Sequence, residues 1–197
     1  MLNSNYRELC PVTLPAFKGR QRYMHTFDLA DPVMEQGFED YLETVKALCR
    51  TAGALRGFAH MTVDEKVVKA GMSQRRPGPH VDGCFMPDVG RWGGGWNHNC
   101  NNIANGEAFR RMPIIVAASV AGCKAWKGQF DVEPTDSGAL PGIQLNEGEV
   151  VRANVGYLLS PDCVHESMVF DQDTERTFLR IALPTSFAFD GGAVSGD

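Results

Sequence analysis

His80, Asp82 and His165 are the residues of this chain whose types and spacing best suit chemistry. Two imidazoles and one carboxylate form the facial ligand set that holds non-haem Fe(II) and leaves open positions for further ligands. In extended chain, residues i and i+2 point to one face. His80 and Asp82 can therefore chelate one ion from a single short stretch while Val81 turns away. His165 must then arrive on another strand. Eleven and fifteen residues beyond it stand Arg176 and Arg180, fixed cations suited to a carboxylate near the metal. A guanidinium offers such a group a two-pronged fork, more directional than a lysine contact.

The elements that must position these side chains are mostly strands. Residues 156–166 read as strand, tight turn and strand, with His165 on the second strand. Residues 176–183 alternate, so that Arg176, Phe178 and Arg180 share one face and Thr177, Leu179 and Ile181 the other. The turn Arg76-Pro77-Gly78-Pro79 sets His80 at a strand start, and its two prolines restrict the approach. Further strands are expected at 60–63, 65–73, 113–122, 123–130 and 150–159, with turns at Pro141-Gly142 and at Asn146-Glu147-Gly148. Asp31-Pro32 reads as a helix start, and apolar residues at helical spacing predict an amphipathic helix over 32–52. Residues 1–24 carry little periodicity and read as an extended lead-in. A single domain is expected, made of a lead-in and supporting helix over 1–59, a metal-binding core over 60–185 and a frayed tail over 186–197.

Taken together, His80-Val81-Asp82, His165 and the two arginines resemble the HxD…H…R signature of the Fe(II)/2-oxoglutarate-dependent oxygenases, over residues 60–185. The arginine pair is similar to the end of the taurine-dioxygenase-like branch, although this chain is shorter. The resemblance implies a mainly β protein built on a double-stranded β-helix, an eight-stranded jelly roll of cupin type with a flanking helix. It implies Fe(II), 2-oxoglutarate as co-substrate and O2, with oxidative decarboxylation to succinate and CO2 coupled to hydroxylation of an unactivated C–H bond. Arg176 is then the first choice for the far carboxylate of 2-oxoglutarate and Arg180 the second. Asn154 and Tyr157, on the strand before His165, are candidates for a co-substrate oxygen. Arg152 is a reserve partner for an acidic substrate.

Between the two halves of the ligand set, Trp92-Gly93-Gly94-Gly95-Trp96-Asn97 places large recognition surfaces on a glycine-rich segment beside the metal strand. Trp92, Trp96 and Asn97 are candidate substrate contacts there, weighed evenly against a packing loop. His98 reads as a loop histidine. Cys84 and Cys163 each lie two residues from a proposed ligand, which raises the idea that they pair or oxidise when the metal turns over without substrate. The same two cysteines with His80 and His165 would make a tetrahedral zinc site, a rival that leaves Asp82 and the arginines unexplained. The other rival is a cupin-like isomerase or binding protein without 2-oxoglutarate.

Composition narrows the class. The chain has 197 residues, 43% hydrophobic and 22% charged, an ordinary globular balance. Its net charge of −5 argues against a nucleic-acid footprint. The basic residues Lys66, Lys69, Arg75, Arg76 and Arg91 read as a solvated edge. Six scattered cysteines without metal-site spacing, no secretory leader and no apolar run of membrane length predict a cytoplasmic protein with reduced thiols and no membrane association. The expected substrate is a small molecule, or a peptidyl or nucleobase group. The oligomeric state is open.

Overall fold

The computed structural model describes residues 1–82, 84–86, 91–93, 112–135, 137–184 and 186–190, with 84–86 and 91–93 as backbone alone. Thirteen strands and one α-helix are described. In chain order they are β1 (Leu2–Ser4), β2 (Tyr6–Pro11), β3 (Gln21–Asp28), α1 (Leu42–Ala52), β4 (Phe58–Val68), β5 (Cys84–Met86), β6 (Arg91–Gly93) and β7 (Ile114–Ala118). There follow β8 (Cys123–Trp126), β9 (Gly128–Phe130), β10 (Glu149–Val150), β11 (Val155–Leu159), β12 (Val164–Ser167) and β13 (Thr174–Ala182). Six strands form an antiparallel sheet in the order β2-β11-β7-β13-β4-β3, and a smaller sheet runs β10-β8-β12. The expectation of a mainly β protein with one flanking helix is met.

Alternation along the central strands divides the interior. On one face of the six-stranded sheet, Ile115, Ala117, Leu158, Leu179 and Ile181 pack with Val45, Leu48 and Ala52 of α1. On the other, Ile114, Val116, Tyr157, Leu159 and Ala182 pack with Ala125 of the smaller sheet and with Cys163. Gly156 lets the helix lie close, because a β-carbon there would meet Leu48 Cδ2 at 2.1 Å. A third cluster, Leu2, Val81, Trp126, Leu140 and Val164, closes the far side of the smaller sheet.

Several expectations change: the strands expected at 60–63 and 65–73 are the single strand β4, and the one expected over 123–130 divides into β8 and β9 in different sheets. The helix begins at Leu42, preceded by a single 3-10 turn over Glu39–Tyr41, and not at Pro32. Asp28 rather than Asp31 holds the local turn, its carboxylate accepting from Ala30 N–H, and Gly37 stands at φ +90°, outside helical geometry. The extended lead-in belongs to the sheets: β2 and β3 are the two edge strands of the large sheet, and β1 pairs with β9. The strand expected over 150–159 is two strands in different sheets, because Asn154 adopts φ +56° and ties its backbone to Ala118 and Val12. Within the expected tail, Phe187 and Phe189 pack against the helix-side core.

Candidate metal centre

His80 sits between β12 and the segment around Ala139, bridging both. Its N–H donates to His165 O and its carbonyl accepts from His165 N–H, each at 3.0 Å. Directly opposed residues of an antiparallel pair present their side chains on one face, and the two rings lie 4.4 Å apart between centroids. Val81 turns into the third core cluster, fully buried, so His80 and Asp82 emerge together on the cavity side.

The donor atoms of His80, Asp82 and His165 all lie within 4.8 Å of one another, a group that could hold a metal ion. Each ring is locked by the carbonyl two residues before it: His80 Nδ1 to Gly78 O at 2.8 Å and His165 Nδ1 to Cys163 O at 2.9 Å. A carbonyl only accepts, so Nδ1 carries the proton and Nε2 keeps its lone pair for a cation, the usual arrangement of a metal-bound histidine. Burial, then the neighbouring His165 and Arg76, depress His80 to about 3, leaving it neutral at pH 7 as a ligand must be. Burial alone would raise Asp82, but Arg180 first, then both histidines and Arg76, hold it at about 2. Its two oxygens divide their partners: Oδ2 accepts from Arg180 Nη1 at 3.3 Å, and Oδ1 faces His165 Nε2 at 3.9 Å.

A cavity of about 450 Å³ opens over this group. Arg75, Arg76, Arg176 and Arg180 line it, against Asp82 and Glu166, so its electrostatic character is cationic. Ile114, Val116, Leu159 and Phe178 supply an apolar wall. Arg176 is 2% exposed, with Nε donating to Val120 O at 2.8 Å and Nη1 to Gln74 Oε1. Its guanidinium lies 5.8 Å from the Phe170 ring and 5.6 Å from that of Phe178. Burial lowers it to about 10, which leaves it charged at neutral pH. Among the described residues no carboxylate forms an ion pair with Arg176.

The other expected site residues separate. Tyr157 is buried between the sheets, and its hydroxyl oxygen accepts from Arg152 Nε at 3.3 Å. Arg152 pairs with Glu8 on the surface. Asn154 forms the turn between sheets. None of the three lines the cavity: Tyr157 shares the inward face of β11 with Leu159 but packs in the inter-sheet core, and the left-handed Asn154 turns the chain from one sheet to the other. Trp96, Asn97 and the side chains of Trp92 and Cys84 lie outside the described residues. Cys163 is a free thiol packed in the inter-sheet cluster and is not part of the potential metal group.

Other residues in the cavity wall or behind it were given no role from the sequence. Gln74 is buried, with Nε2 donating to Asp64 O at 2.6 Å while Oε1 receives Arg176. Arg75 and Arg76, read as a solvated edge, line the cavity. The Arg75 guanidinium lies between the rings of Tyr23 and Phe178 and 3.5 Å from Asp64. Lys69 does keep to the surface, paired with Asp173. A usable signal was available for the arginines, since they immediately precede the turn that delivers His80.

No protein-family model, no curated protein and no solved structure matches the chain. Fold and site therefore define the class by themselves: a mainly β antiparallel protein with one helix and a buried His-x-Asp…His group that could hold a metal. Among the described residues no helix is long and apolar enough to cross a membrane.

Proposed function

We propose that this protein is an Fe(II)- and 2-oxoglutarate-dependent dioxygenase that hydroxylates an unactivated C–H bond of a small molecule or of a peptidyl or nucleobase group. One observation carries the reading. A two-histidine, one-carboxylate donor group shares a cavity with Arg176, a buried guanidinium whose described hydrogen-bond partners are all neutral. Burying a cation without a counter-charge is costly unless a ligand supplies one. The two facing antiparallel sheets agree with the walls of a double-stranded β-helix.

The donor set fits Fe(II): two imidazoles whose Nδ1 atoms are tied to carbonyls, so that Nε2 is the position left for a metal, and one ionised carboxylate. When bound, Fe(II) with 2-oxoglutarate supplies O2 activation and the oxidation of the C–H bond. The chain itself binds and orients. His80 and His165 present Nε2, and Asp82 presents Oδ1. Arg180 holds Oδ2, so Oδ1 is the oxygen that would be left for the metal. Arg176 receives the far carboxylate of the co-substrate through its remaining N–H donors, and Gln74 holds it in position. Ile114, Val116, Leu159 and Phe178 exclude water from the reacting face. Trp92, Trp96 and Asn97 remain candidate substrate contacts by their position after Asp82.

Anaerobic reconstitution with Fe(II) and 2-oxoglutarate tests this reading through the visible charge-transfer band of the chelate. The band should vanish in Asp82→Ala and need more 2-oxoglutarate in Arg176→Ala. Iron-loaded protein that shows no band would turn the assignment to a cupin-like metal protein.

A further inference from the structure

Four arginines line one cavity, and they differ in what neutralises them. Arg180 is paired with Asp82 at 3.3 Å, and Arg75 lies 3.5 Å from Asp64. Arg176 has neutral partners and, on the reading above, takes the co-substrate. Arg76 remains. Its Nη1 donates to Ser137 O and its Nη2 to Val81 O at 3.2 Å, two carbonyls and no carboxylate among the described residues. A guanidinium has five N–H donors, so its capacity for an anion is far from exhausted.

Its placement differs from that of Arg176 as well. Arg76 acts electrostatically on both Asp82 and His80, whereas the ionised neighbours of Arg176 are Asp64 and Arg75. The hydrogen bonds place them apart: Arg76 Nη2 is held on Val81, the residue between His80 and Asp82, whereas Arg176 is held on Val120 and Gln74. Arg76 is also held firmly. Pro77 and Pro79 restrict the chain that follows it, and its own carbonyl accepts from Ser167 N–H at 3.3 Å. Gly138, at φ +81°, lets the opposite segment close on it, since a β-carbon there would meet Val81 O at 2.3 Å and lie 3.6 Å from Arg76 Nη2. A cation fixed in this way binds an anion with little ordering cost. The remaining carboxylate of the lining, Glu166, is not among the described partners of Arg76.

We propose that Arg76 anchors the carboxylate of the substrate, so that the molecule oxidised is a small carboxylic acid held with its acid group beside the metal and its C–H bond over it. This rests on the co-substrate reading of Arg176: with 2-oxoglutarate on Arg176, Asp82 on Arg180 and Asp64 beside Arg75, Arg76 is the lining arginine whose described hydrogen-bond partners are carbonyls and which no other ligand claims.

Mn(II)-loaded protein saturated with 2-oxoglutarate provides the test without turnover. N-acetylglycine and its amide, N-acetylglycinamide, serve as probes, and the readout is metal-induced broadening of their acetyl methyl proton signal. The acid should bind about tenfold more tightly than the amide, the scale of a hydrogen bond to a charged group. Arg76→Gln should reduce that preference to near unity, and Arg76→Lys should keep part of it. Mn(II) binding, read from the signal of the free ion, checks that each variant is folded. Equal broadening by acid and amide in the wild type, or a preference that survives Arg76→Gln, overturns the proposal. So does a preference seen only without 2-oxoglutarate, because the probe would then be occupying the co-substrate station. A failure of the co-substrate reading looks different: 2-oxoglutarate would not alter water relaxation by the bound Mn(II), while an Arg76-dependent acid preference would still support the anion site.

Discussion

The two faces of the six-stranded sheet are built from the same strands and do opposite work. Toward α1, β13 presents Leu179 and Ile181, both fully buried among aliphatic neighbours. Toward the smaller sheet the alternate residues Arg176, Phe178 and Arg180 meet a cavity, with Thr62 and His80 also on its wall. One face is closed by hydrophobic burial, which is non-directional and tolerant of exchange. The other holds buried charges, each fixed by a named acceptor. A period of two lets one nine-residue strand serve stability and ligand binding at once.

That division can be broken from either side. The largest effect is expected at the ligands. Asp82→Ala should weaken metal binding by more than about a hundredfold, beyond the usual cost of losing an outer partner, as read by metal titration of the purified protein. Arg176→Gln should raise the 2-oxoglutarate requirement by about ten- to a hundredfold, while urea unfolding shows the fold retained. From the opposite face, Leu179→Ala should lower unfolding stability by about 2–5 kcal/mol and leave the metal affinity of the folded protein unchanged. If instead Leu179→Ala abolished metal binding in folded protein, the faces would not be independent.

Gln74 sharpens the comparison at smaller scale. Gln74→Leu should raise the 2-oxoglutarate constant a few-fold by loosening Arg176. Gln74→Glu should raise it further, because the new carboxylate would compete for the same guanidinium; equal constants for the two variants would contradict the anchoring role of Arg176. The smallest effect concerns two thiols, the half-buried Cys123 and the buried Cys163. Burial raises Cys123 to about 12 and moves Cys163 in the same direction. Both should resist iodoacetamide at pH 8 in folded protein, as mass spectrometry can check. The sign of the linked stability follows. An unfolded thiol ionises near pH 9 and the folded one only near 12, so the stabilisation is full below about pH 9 and is lost progressively above it.

Much of the candidate site was legible because it depends on short-range rules. The alternation of β13 reappears in the structure, and His80 and Asp82 do share one side, although His80 makes isolated bridges to His165 and Ala139 rather than opening the expected strand. The N-terminal strands were not legible, because β2 and β3 are edge strands whose exposed positions carry no strong apolar pattern. The division of the segment 150–159 between two sheets turned on one residue, Asn154. A non-glycine residue at φ +56° is uncommon, and nothing local in the sequence announces it.

By itself, the amino-acid sequence determined which atoms are available: two imidazoles, a carboxylate and arginines, on segments whose pleat sends alternate side chains to opposite faces. The tertiary structure alone decided which charge each arginine meets. Arg180 faces Asp82, Arg75 faces Asp64, and Arg76 and Arg176 face carbonyl and amide oxygens. Those partners lie on distant parts of the chain, and Coulomb interactions depend on separation in space rather than along the backbone.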